Sequence, residues 1–284
     1  MSAFAANSLR IGLFGAGRVA TQLAPALVAA GHELVFVSSR TADSAAALAA
    51  QLPTPPPALN AAPAGLPAAD LYLLAVPDAA VPVVLAAVPW PAGAVVAHLA
   101  GALPLSVFEA APGVRGGVLY PLQTFSPGRR VAWETVPFFI EAADAATAEL
   151  LLGLARSLRA HGQRLDSAQR LRLHVGAVFA NNFPNHLLGI AQELLAEAGL
   201  PFELLAPLIR ETVDKALRQP PFAVQTGPAV RRDAATLAAH RAALAAQPRW
   251  QQLYDLLTAS IQAQQAGETS PPANPPVPPP VITS

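Results

Sequence analysis

Between Arg10 and Ala20 a short apolar run breaks into Gly15-Ala16-Gly17-Arg18-Val19-Ala20. Few segments constrain a fold more tightly. In a Gly-x-Gly-x-x-small turn the first glycine permits the tight bend, the second lets backbone approach a pyrophosphate, and the small third residue lets helix pack on strand. The helix that starts there offers free N–H groups and a partial positive charge to phosphate oxygens. The flanks agree with this reading. Residues 9 to 14 form a strand-like run, and Val19, Leu23, Ala26, Leu27 and Ala30 recur at helical spacing as far as Gly31. A glycine turn without a ligand is the alternative, and strand–turn–helix context is what argues against it. Gly15, Ala16, Gly17, Arg18 and Val19 are therefore expected to hold a dinucleotide pyrophosphate.

The segments that follow extend the pattern. Strands are predicted at 34–37, 71–76, 94–99, 117–120 and 137–141, with helices at 41–52 and after Pro77 and a Pro-rich loop at 53–67. Alternating strands and helices define βαβ units and a mostly parallel sheet. From Ser167 onward only helical patterns occur, at about 167–198, 202–218, 233–246 and 250–264. The expected fold is α/β: an N-terminal Rossmann-type doubly wound parallel sheet over residues 1–165, then an all-helical domain over 166–265. Residues 266–284 read as a disordered tail, with seven prolines between Gly267 and Ser284 and nothing for a core.

The end of the second strand selects the cofactor. NAD-binding proteins usually place an acid there for the ribose 2′-hydroxyl. This chain has Ser38-Ser39-Arg40-Thr41 and no acid before Asp43. Hydroxyls and a guanidinium suit a 2′-phosphate, which an acid would repel. The expected cofactor is NADP. In such sheets ligands lie beyond the carboxyl ends of strands, so Val76, Pro77 and Asp78 should flank the cofactor. His98-Leu99-Ala100-Gly101 closes the next strand. His98 is placed to give or take a proton, or else is a buried, hydrogen-bonded histidine without a chemical role.

Composition narrows the function classes. Eighteen basic and eighteen acidic residues cancel, so no charge excess favours nucleic acid or an anionic membrane. Cysteine is absent, which excludes disulfides, thiolate catalysis and cysteine-ligated metals; no metal site is read, and a cytoplasmic location is expected. Residues 79–108 contain no Asp, Glu, Lys or Arg, but Pro82, Pro89, Pro91, Gly93, Gly101 and Pro104 cut them into strand- and helix-length pieces. They read as sheet interior, not a membrane span.

Among the later helices, His174, Val178, Asn181, Asn182 and Asn185 fall on roughly one face. Buried polar side chains there need partners, supplied by a cleft facing the nicotinamide or by amides bonding across an interface. Pro184 removes one intrahelical bond, freeing the Ala180 carbonyl and bending the helix. Asn182 is the first candidate for orienting substrate, and His174 is a further acid/base candidate. Asp233 suits a helix N-cap. Arg231 or Arg232 suits a substrate carboxylate or phosphate, and His240 lies on the same helix face as Asp233.

With these residues in view, the layout resembles the 6-phosphogluconate dehydrogenase-like superfamily, which includes ketopantoate reductase and pyrroline-5-carboxylate reductase. More closely it is similar to the bacterial family that joins a Rossmann-like domain to domain of unknown function 2520. The segments that carry the resemblance are Gly12 to Ala20, Val95 to His98, Leu119 to Phe125, His174 to Phe183 and Gln225 to Asp233. The turn at His98-Leu99-Ala100-Gly101 stands where a more polar His-Thr-Ser-Gly is expected. The resemblance implies an oxidoreductase with an NADP-binding domain, completed by a helical domain that often forms a dimer. It draws attention to Lys215, the only lysine in the chain, because related reductases often use a lysine as proton donor. Glu211, four residues earlier, makes an ordinary surface ion pair the preferred reading of Lys215.

The resulting expectation is an NADP-dependent oxidoreductase, working as a homodimer through its helical domain. Hydride would pass between nicotinamide and a small carbonyl, imine or alcohol, with His98, Asn182, His174 and Lys215 as the candidate catalytic groups. The alternative is a non-catalytic NADP-binding sensor or partner-binding protein, since fold alone does not establish a reaction.

Overall fold

A computed structural model describes residues 8–60, 65–126 and 128–267. The Pro-rich tail lies outside them from residue 268 onward. The chain forms two compact units, divided between Asn182 and Phe183.

The first unit is built on one eight-stranded sheet. Its elements in chain order are β1 (Arg10–Phe14), α1 (Arg18–Ala29), β2 (Glu33–Ser39), α2 (Ala42–Ala49), β3 (Ala58–Asn60), β4 (Leu71–Leu74), α3 (Val81–Ala87), β5 (Val95–His98), β6 (Arg115–Pro121), β7 (Phe138–Ala142), α4 (Ala145–Ser157), β8 (Gly162–Arg164) and α5 (Ser167–Ala177). The strand order is β3-β2-β1-β4-β5-β6-β7-β8. Every neighbouring pair is parallel except β6 with β7. Strands β1 to β6 thus follow the doubly wound order, with its switch point between β1 and β4. Strands β7 and β8 extend the sheet in the opposite direction.

Two apolar layers sandwich the sheet. Ile11, Leu13, Val37, Leu73 and Ala97 face the layer formed with Ala20, Leu23 and Leu27 of α1. Phe14, Phe36, Tyr72, Leu74 and Val96 face the other, with Val81 and Leu85 of α3. Both sides of the central strands are covered, which accounts for the uncharged β5; the rest of residues 79–108 folds into α3 and short turns. No described helix is long and apolar enough to cross a membrane.

Two strands depart from the sequence expectation. β3 arises within the Pro-rich segment read as loop, where Ala58–Asn60 pairs with Val37–Ser39 of β2. β8 is equally short and pairs with β7. Three-residue edge strands have too little periodicity to be read locally, and pairing alone defines them. The long helical run is also interrupted. A π-helical turn, Val178–Asn182, follows α5 immediately before Phe183-Pro184, where proline has no N–H to continue the ladder.

The second unit contains α6 (Phe183–Glu197), α7 (Ala206–Arg218), α8 (Ala234–Ala243) and α9 (Pro248–Gln265), with no strand among its described residues. Asp233 caps α8, its carboxylate accepting from the N–H of Thr236 at 3.1 Å.

Candidate functional site

The glycine turn lies at the switch point. Gly15 adopts φ +115°, a region that favours glycine, and a Cβ there would run into the Ala75 carbonyl after β4. Its N–H donates to the Ser38 carbonyl at 2.7 Å, tying the turn to the end of β2. Gly17 caps α1 without a side-chain partner, and the space its missing Cβ leaves is open. Ala20 is fully buried against the sheet. The first N–H groups of α1 therefore face outward beside an unfilled space, as a phosphate requires.

The residues at the end of β2 divide in two. Ser38 is buried, and its hydroxyl donates to the Asn60 carbonyl of β3 at 2.8 Å. Thr41 caps α2, accepting from the Ser44 N–H. Both are occupied in holding the segment. Ser39 is half-buried and Arg40 exposed, with no ion pair from Arg40 among the described residues. These two remain available to a 2′-phosphate.

A cavity of about 620 Å³ opens in the first unit at the carboxyl end of the sheet. Arg18 and Val19 of α1, Asp78 after β4, Leu99 to Gly101 after β5, and Tyr120 to Phe125 at the end of β6 form part of its wall. His174, Ala177 and Val178, with Ala180, Asn181 and Asn182 of the π turn, complete it. The structure therefore brings together Arg18, Val19, Asp78, His174 and Asn182 from the residues singled out in the sequence.

Other candidates lie elsewhere. His98 does not line the cavity: it is completely buried, stacked on Phe108 with ring centroids 5.7 Å apart. Its Nδ1 accepts from the Ala100 N–H at 3.1 Å. Burial, with a smaller effect of the Arg170 charge, lowers its pKa to about 3, so its ring is neutral at physiological pH and is no proton reservoir. Lys215 lies on α7 in the second unit and forms no ion pair among the described residues, with Glu211 or otherwise. Arg231 and Arg232 precede α8, exposed, while His240 of α8 hydrogen-bonds the Tyr254 hydroxyl of α9 at 2.9 Å.

Three positions at or beside the cavity were not among the candidates of the sequence reading. Tyr120 ends β6 inside the cavity, and its hydroxyl lies 3.0 Å from Nδ1 of His174. Gly101 passes against this pair so closely that a Cβ would sit 2.5 Å from His174 Nδ1 and 2.8 Å from Tyr120 Cζ. Arg170, one helical turn before His174, is fully buried. Its Nη1 donates to the carbonyls of Gly101 at 3.0 Å and Leu103 at 2.6 Å, and Nη2 to Glu141 at 2.7 Å. Glu141 also accepts from Ser167, whose hydroxyl receives the Leu105 N–H. The loop after β5 is thereby fixed to α5. The rule that ligands gather at strand ends could have found Tyr120, since β6 is the next strand along. Nothing local marks Arg170.

A doubly wound sheet with a glycine turn at its switch point and a largely apolar cavity beside it is the arrangement of dinucleotide-binding proteins. Residues 10–101 match the family "NADP oxidoreductase coenzyme F420-dependent", and residues 136–261 match a domain of unknown function, DUF2520. A protein from Bacteroides fragilis assigned as an NADP oxidoreductase is 39% identical, with a TM-score of 0.82 over 91% of this chain and 99% of its own. The chain belongs to that two-part family. A reductive aminase from Aspergillus terreus, solved with NADPH and ethyl-5-oxohexanoate, is 22% identical at TM-score 0.65, covering 92% and 96% of the two chains. A 1-pyrroline-5-carboxylate reductase from Streptococcus pyogenes is 13% identical at TM-score 0.58, covering 90% and 99%. These two share the fold. No curated protein matches the chain.

Proposed function

We propose that this protein is an NADP-dependent oxidoreductase passing a hydride between the nicotinamide and a small carbonyl, imine or alcohol, as a cytoplasmic homodimer. The observation that carries this reading is the continuity of the glycine turn with the cavity: Arg18 and Val19 belong to both. A pyrophosphate on the N–H groups of α1 directs the rest of the dinucleotide along strand ends that the same cavity exposes.

Gly15, Ala16, Gly17, Arg18 and Val19 would hold the pyrophosphate. Ser39 and Arg40 would take the 2′-phosphate, on a backbone fixed by Ser38 and Thr41. Val76, Pro77 and Asp78 would flank the nicotinamide half. When bound, the nicotinamide supplies the hydride, while the protein supplies orientation, a dry wall and a proton. Leu99, Leu122, Phe125 and Val178 give the cavity apolar walls, and Asn181 and Asn182 give it amides that can orient a substrate oxygen or nitrogen.

The dimer is supported by the second unit. Among its described residues the only buried apolar side chains are Ala229 and Leu244, while Leu208, Val213, Leu217 and Leu256 are more than half exposed. A helical unit of this size needs a core it does not make from its own side chains, and contiguous exposed apolar surface marks an association site.

The test is fluorescence titration with NADPH and NADH, followed by absorbance at 340 nm with a panel of small ketones, aldehydes and imines. NADPH is expected to bind more tightly, and Arg40→Asp to weaken NADPH far more than NADH. Equal weakening would overturn the NADP assignment. Tight NADPH binding without turnover of any panel member would favour a sensor.

A further inference from the structure

We infer that Tyr120 and His174 form the proton-delivering pair of this oxidoreductase, with Tyr120 the group that touches the substrate. The inference rests on the oxidoreductase reading and adds to it the identity of the acid.

Geometry carries the argument. Both side chains line the cavity, and the hydroxyl and Nδ1 are 3.0 Å apart, with the rings edge-on at 70°. The pair is held from three sides. Tyr120 is fixed by the β6–β7 ladder, where it pairs with Phe139. His174 is fixed by α5, which Arg170 anchors one turn earlier. Gly101 closes the third side, since only glycine lets the loop after β5 lie this near both rings.

The other polar groups of the cavity do not serve as well. Gln123, Thr124, Asn181 and Asn182 do not titrate near neutrality. Arg18 stays protonated. Asp78 is solvent-exposed. It faces Tyr120 from the β4 end, Arg170 faces it from α5, and the phenol is largely buried. Burial and the Asp78 charge raise the Tyr120 pKa against the smaller opposing effect of Arg170, so the hydroxyl keeps its proton until a substrate takes it.

The step balances as follows for a carbonyl substrate. The carbonyl carbon accepts the hydride of a reduced nicotinamide, a C–H bond forms, and the C=O π pair moves to oxygen. That oxygen takes the Tyr120 proton as the Tyr120 oxygen takes the Nδ1 proton of the His174 imidazolium. The products are an alcohol, oxidised nicotinamide and neutral His174, which is recharged by solvent entering the cavity.

The test uses the full chain in three forms: wild type, Tyr120→Phe and His174→Gln. In cofactor-free protein, ¹⁵N spectra of the histidine side chains are expected to show the His174 Nδ1 resonance moving in Tyr120→Phe, with melting temperature little changed. With NADPH and the ketone panel, Tyr120→Phe is expected to lower kcat about 100-fold or more at unchanged NADPH affinity. His174→Gln is expected to lower kcat at unchanged NADPH affinity. A Tyr120→Phe protein within threefold of wild-type kcat, or an unmoved His174 resonance, would overturn the pair while leaving the oxidoreductase reading intact. A wild type that turns over no panel member would overturn that reading first, and the pair with it.

Discussion

The imidazole of His98 takes the Ala100 N–H on Nδ1 and lies flat against Phe108, so protonation would place a charge in an apolar site beside the Arg170 guanidinium. The folded chain resists that proton down to about pH 3, whereas the unfolded chain binds it below about 6.5. Stability is therefore full above 6.5 and is lost as pH falls toward 3, by about 1.4 kcal/mol per pH unit from this group. His98→Asn keeps an acceptor for the Ala100 N–H but cannot titrate. Urea melts between pH 6 and 4 should show a shallower decline than wild type, with His32, whose pKa burial also lowers, and the hydrogen-bonded carboxyls of Asp144 and Asp233 contributing to the remainder. An identical decline would refute the assignment. Arg170 acts through charge burial instead. Removing it leaves the carbonyls of Gly101 and Leu103 without their donor and Glu141 with the Ser167 hydroxyl alone, a loss of about 3–5 kcal/mol. Arg170→Met should show that loss in denaturant melts, and adding Glu141→Gln should recover part of it.

The strand–turn–helix unit of β1 and α1 separates two uses of glycine. At Gly15 a methyl meets the Ala75 carbonyl and must adopt φ +115°, so Gly15→Ala should lower the melting temperature and abolish NADPH binding together. At Gly17 a methyl meets nothing within 4 Å. Gly17→Ala should melt like wild type yet bind NADPH at least tenfold more weakly in fluorescence titration, since the added group occupies the phosphate's place. Unchanged affinity would remove the turn from the cofactor site. This unit was legible because its signals are local: turn chemistry, helical spacing and a C-terminal glycine all fall within about twenty residues. The expectation of a bend at Pro184 rests on equally local chemistry, and a π turn precedes that residue. β3 and β8 were not, since pairing partners elsewhere define them. Helix α4, capped by Asp144, also went unread. Tyr120 and His174 are 54 residues apart, and the Arg170 bonds to the loop after β5 span 67 to 70; no spacing rule reaches across such distances.

At the scale of the molecule the apolar exposure of the helical unit is the feature that most needs a partner. Leu208 and Leu217 of α7 are 63% and 81% exposed. On the proposed dimer, Leu208→Glu with Leu217→Glu should leave a monomer in sedimentation velocity; an unchanged sedimentation coefficient would overturn α7 as its seam. The sheet unit carries a different consequence, in the order of its assembly. The glycine turn is framed by β1, α1 and β2, all within the first 39 residues. The floor of the cavity must wait for α5, whose guanidinium fastens a loop made some seventy residues earlier. Contacts of such long range close late, so nucleotide recognition should mature on the folding pathway before the reaction chamber does. Pulse-labelled amide exchange would record that sequence as early protection in β1 and β2, and later protection from Leu99 to Leu105.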